Sequence, residues 1–88
     1  MDFKESMVVL AKAGRDAGSC YWVVRCEGGY CWIADGRRRK ISSPKKKNPK
    51  HLAATNHSLS REEVTSDRTL RQKMAQWNTA YQPNEDGR

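Results

Sequence analysis

Apolar residues come in short bursts over the first two thirds of the chain and at helical spacing over the last third. Met7-Val8-Val9-Leu10-Ala11 is apolar and β-branched, ends at Lys12 and is stopped by Gly14, which predicts a first strand. Met1 to Ser6 before it reads as a frayed leader. Gly14-Arg15-Asp16-Ala17-Gly18 follows as a tight polar connection. Cys20 to Cys26, rich in aromatic and β-branched residues, predicts a second strand. Glu27-Gly28-Gly29 turns the chain, and Tyr30 to Ala34 has the same character, so the pair reads as a β-hairpin. Asp35-Gly36 is a further hairpin signal. It predicts a return strand over Arg37 to Ser42, at a sheet edge because Ile41 is its only strongly apolar residue. Pro44 and Pro49 exclude a helix between them, and His51 to Thr55 offers a last short strand.

Four to five short strands joined by glycine turns predict a mainly β fold, a small curled sheet or partly open barrel over residues 1–56. Both faces of the middle strands carry apolar groups, which favours curling over a flat sheet with one wet side. Residues 57–88 change character. Ser60-Arg61-Glu62-Glu63 has the form of a capping box, and Thr65 or Ser66 with Asp67 offers a second helix start. Leu70, Met74, Trp77 and Tyr81 are spaced by four, three and four, which lines them up on one stripe of a helix over about 66–81. Arg68, Gln72, Lys73 and Gln76 fall off the stripe, and Pro83 ends it. A lone helix of this length is marginal in water, so the stripe packs on its own barrel or docks on a protein partner.

Charge changes the picture. The chain holds 17 basic and 10 acidic residues among 88, a net of +7. Eight of the basic residues, Arg37, Arg38, Arg39, Lys40, Lys45, Lys46, Lys47 and Lys50, lie in the 37–50 stretch with no acid among them. Taking those eight away leaves nine basic against ten acidic residues, so the remainder is close to neutral. A concentrated cationic segment calls for a counter-charge, most often nucleic-acid phosphate. The plainer account is a solvated loop. The polyanion reading is preferred because Pro44 and Pro49 stiffen the run and patterned strands precede it.

Length allows one small domain with a modest core and no large enclosed active site. No apolar run approaches the roughly 20 residues that span a bilayer, and the first residues lack a signal core, so a soluble, cytoplasmic protein is expected. Cys20, Cys26 and Cys31 are odd in number and lack paired knuckles, and His51 and His57 complete no zinc site. They read as reduced thiols, with no metal and no cofactor.

Ala11 through Val24 resembles the KOW motif: a strand, a turn with Gly18 as the expected glycine, then a strand of alternating large residues. The stretch YCWIADGRRRKISSPKKKNPKHL extends the likeness to bacterial KOW-domain proteins, relatives of KOW-containing large-subunit ribosomal proteins of archaea and eukaryotes. The resemblance covers about Met7 to Thr55. It implies an SH3-like barrel that binds structured RNA, usually ribosomal RNA of the large subunit, through the turn around Gly14 to Gly18 and the basic loop. The contact residues it implies are Lys12, Arg15, Arg37, Arg38, Arg39, Lys40, Lys45, Lys46, Lys47, Lys50 and His51. Cys20, Cys26 and Cys31 depart from the pattern, standing where aliphatics are expected.

Catalysis is not expected. Asp16 and Asp35 are accounted for by turns, Glu62 and Glu63 point to different sides of a helix, and Gly14 to Gly18 opens onto a strand rather than a phosphate-binding helix. Tyr21, Trp22, Tyr30 or Trp32 could stack on bases if exposed, although core packing is the leading expectation for most of them. The second function class is a protein-interaction module using the Leu70, Met74, Trp77 and Tyr81 face. Membrane adhesion is weaker, because the basic run brings no amphipathic helix to insert.

Overall fold

The computed structural model describes residues 3–15 and 17–78. Five antiparallel strands form one sheet: β1 (Met7–Ala11), β2 (Cys20–Glu27), β3 (Tyr30–Ala34), β4 (Lys45–Lys47) and β5 (Leu52–Ser58). They lie in the order β4-β3-β2-β1-β5, and one helix, α1 (Asp67–Asn78), follows. The fold is mainly β, as the apolar bursts predict. β1 and β3 keep their expected limits, and β5 runs past Asn56 to Ser58.

Each face of the sheet carries a buried cluster. On one side Val9, Tyr21, Val23, Cys31, Ile33 and Leu52 pack together, with Phe3 and Met7 against them. On the other Val8, Trp22, Val24 and Ala34 meet Leu59, Val64, Leu70 and Met74. Alternation sends successive residues to opposite faces, and both find apolar cover. A bulge at Val24 re-aims the end of β2, because Val23 faces Ile33 while Arg25 faces Trp32.

The helix stripe belongs to this core. Leu70 is fully buried and Met74 nearly so, Trp77 packs at the rim, and Tyr81 lies outside the described residues. Ser66 starts the helix, its hydroxyl accepting from the Thr69 amide at 3.1 Å. The Ser60–Glu63 box forms as well, but it closes a single turn: the Ser60 amide donates to Glu63 Oε2 at 3.0 Å, and that turn buries Val64. Trp22 ties the turn to the sheet, donating from Nε1 to the Leu59 carbonyl at 2.9 Å.

Two expectations are corrected. From Phe3 onward the leading segment is docked rather than frayed: Ser6 donates to the Val23 carbonyl at 2.8 Å, and its own carbonyl accepts from Leu59 at 2.9 Å. Arg37 to Ser42 is not a strand. Asp35 Oδ1 accepts from the amides of Arg37 and Arg39 at 2.9 and 3.0 Å, and the Ile41 amide donates to Asp67 Oδ1 at 2.7 Å. Carboxylates take the amides a strand would offer to a ladder, so the return strand is displaced to Lys45–Lys47.

Candidate nucleic-acid interface

Most of the sequence-predicted contact residues fall into three groups, each defined by the elements that carry it. The run expected as a single basic loop over 37–50 is a loop, the strand β4 and a 3-10 turn over Pro49–His51.

The first group, Arg37 to Lys40, rides on a loop anchored to the start of α1. Asp35 gathers its backbone, with the amides of Asp35 and Gly36 also donating to the Arg39 carbonyl at 3.0 and 3.1 Å. Gly36 is buried at φ +83, where a β-carbon would collide with the Asp67 carbonyl and approach the Arg71 amide nitrogen to 2.8 Å. The close approach needs glycine. Arg37, Arg38 and Lys40 are exposed on this framework, and Arg39 is half-buried.

The second group surrounds the β1–β2 turn. Lys47 Nζ stands 3.8 Å from the place a Gly14 side chain would occupy. Lys12, at the end of β1, donates its amide to the His51 carbonyl at 2.8 Å. Asn48 caps the 3-10 turn by accepting from the Lys50 amide at 3.0 Å. Segments more than thirty residues apart, Lys12 to Arg15 and Lys47 to His51, are thus joined in one sector. Asp16 of the same turn lies outside the described residues.

The third group combines cations with aromatic rings on the face opposite Lys45 and Lys47. Arg25, Trp32 and Lys46 lie directly across from one another on β2, β3 and β4. The Arg25 guanidinium sits 4.4 Å from the Trp32 ring centre, and Lys46 Nζ is 4.2 Å from Tyr30 and 5.9 Å from Trp32. Each such contact is worth about 0.5–1 kcal/mol at an exposed site. Tyr30 is 38% exposed and Trp32 half-buried, whereas Tyr21 and Trp22 are core residues. Arg25 was not singled out from the sequence. Counting back from the two-residue Gly28-Gly29 loop pairs it with Trp32, so the signal was present in the hairpin register.

Glu5, Glu27 and Glu63 pair with Arg61, Arg25 and Lys73. Asp35 and Asp67 accept from backbone amides of the arginine loop. Cations on an outer strand also have a plain structural use, since lysines discourage edge-to-edge pairing. That accounts for β4 but not for Arg37 to Lys40 or for Lys12, Arg15 and Lys50. No helix of the described residues is long and apolar enough to cross a membrane. No family model matches the chain, and no curated protein matches it.

Proposed function

We propose that the chain binds structured RNA through its cationic edge, with ribosomal RNA of the large subunit as the class its KOW-like sequence points to. The observation that carries this reading is the meeting of the Gly14 turn with Lys47. Two stretches, each a contact surface on the resemblance, share one sector. The strand order and the 3-10 turn before β5 are compatible with an SH3-like barrel. Phosphates would run past Arg37 to Lys40, along β4 and on to Lys50 and Lys12; such contacts position the protein and read little sequence. Tyr30 and Trp32, flanked by Arg25 and Lys46, offer a surface on which an unpaired base could stack.

If about four of the eight clustered cations meet phosphates, log affinity falls against log salt with a slope near −3 to −4. Filter binding with a folded RNA between low and physiological salt measures it. Arg38→Ala and Lys50→Ala should each flatten the slope by about one. A flat salt response, or no binding at low salt, refutes the proposal. Sedimentation with the large ribosomal subunit at moderate salt, lost at high salt, tests the ribosomal assignment separately.

The alternative, docking of the helix face on a protein, has less to support it. Leu70 and Met74 are buried in the chain's own core. Trp77 is half-buried beside His57, their ring centres 4.9 Å apart.

A further inference from the structure

The β2–β3 hairpin holds a pair of thiols in register. Gly28 and Gly29 have φ of +57 and +84, the left-handed pair that a two-residue hairpin turn of type I′ requires. Glu27 and Tyr30 then close the turn as a hydrogen-bonded pair, and the next pair, Cys26 opposite Cys31, is of the non-hydrogen-bonded kind. In that kind the α-carbons stand about 4.5 Å apart with side chains at their closest, inside the range of about 4.4–6.8 Å found across disulfides. The sulfurs are 3.7 Å apart. Cys26 is exposed and Cys31 buried, while Cys20 sits at the far end of β2, opposite Leu10 of β1.

We propose that Cys26 and Cys31 form a reversible dithiol modification site, closed to an intrachain disulfide by a low-molecular-weight disulfide such as oxidised glutathione. Cys26 is the thiol a reagent can reach. Its thiolate attacks one sulfur of oxidised glutathione, that S–S bond breaks, and one glutathione leaves and takes up a proton. Cys31 then gives its proton to water as its sulfur attacks the Cys26 sulfur; the mixed disulfide breaks and the second glutathione leaves. The protein loses two electrons and two thiol hydrogens, and two glutathione thiols carry them away. Burial first, then the hydrogen bond and charge of Cys26, push the Cys31 thiol up to about 12, so the closing step quickens as pH rises. Closure gives up the Cys26 thiol's bond to the Phe3 carbonyl at 3.3 Å and replaces the hydrogen bond between the two thiols by the S–S bond. Cys31 faces Lys47, so the site lies one strand from the cationic edge.

The test equilibrates the full chain with defined ratios of reduced and oxidised glutathione, alkylates free thiols in denaturant and digests with trypsin. Cleavage after Arg15, Arg25 and Arg37 leaves Cys26 and Cys31 together in peptide 26–37 and Cys20 alone in peptide 16–25. The expected product is peptide 26–37 untagged and lighter by two hydrogens than its reduced form, with Cys20 tagged. Because the hairpin has already brought the sulfurs together, the native chain should close with an equilibrium constant at least about tenfold that of the urea-unfolded chain. Tags on both thiols, a persistent glutathione adduct, pairing through Cys20, or no advantage of the native chain would each overturn the proposal. In Cys26→Ser, folded Cys31 should gain no glutathione; an adduct there would overturn the order of attack.

Discussion

Replacing Gly36 with alanine tests whether the arginine loop is clamped onto α1. Two costs are involved. The backbone at Gly36 has φ +83, a conformation that costs an L-residue about 1–2 kcal/mol. The new methyl would also collide with the Asp67 carbonyl and lie 2.8 Å from the Arg71 amide nitrogen. Both are backbone atoms of a helix held down by Leu70 and Met74, so neither can swing aside as a side-chain tip would. Overpacking of this kind typically costs a further ~1–3 kcal/mol. The total, about 2–5 kcal/mol, is a large share of the roughly 4–13 kcal/mol expected for a domain of 88 residues. Gly29→Ala supplies the control, since Gly29 has φ +84 but no atom within 4 Å of the added carbon. It bears the conformational cost alone. Urea unfolding followed by tryptophan fluorescence separates them: with a slope of about 1–2 kcal/mol per molar, the midpoint of Gly36→Ala should fall about 0.5–3 M below that of Gly29→Ala. Equal midpoints for the two variants would refute the clamp.

Met74→Ala should cost about 2–5 kcal/mol, because Met74 is 2% exposed within the helix-side core, while the exposed Gln72→Ala changes stability by under about 0.5 kcal/mol. Thermal melts decide it, and a Met74→Ala protein that melts like the parent would mean the helix face is not core. Acid should selectively weaken the turn closed by Glu63. The Ser60 amide first, then its hydroxyl and the nearby Lys73, hold this carboxyl below the ordinary range. A depressed native value means the contribution is complete above the unfolded glutamate pKa of about 4.3 and is lost as pH falls through the native one. The stability gap between the parent and Glu63→Gln, measured by urea unfolding across that range, should therefore close on acidification; a gap independent of pH would contradict the assignment.

The amino-acid sequence alone determined the elements whose partners are close along the chain. Alternating β-branched and aromatic residues mark β1, β2 and β3, and Gly28-Gly29 marks the turn that aligns Arg25 with Trp32 and Cys26 with Cys31. The four-three-four stripe marks α1 and its buried face, and the charge count marks the cationic segment. What lay beyond reach depends on atoms far apart in sequence. Asp67 takes the Ile41 amide from 26 residues away, which keeps Arg37 to Ser42 out of the sheet. β4 is three lysines with no apolar pattern, a strand because Trp32 and its neighbours offer it a ladder. Lys47 stands beside the Gly14 turn, more than thirty residues away in sequence, only in the folded chain. Local propensity and periodicity can be read residue by residue, whereas a hydrogen-bond partner or a charge neighbour supplied by a distant segment exists only once the chain has closed on itself.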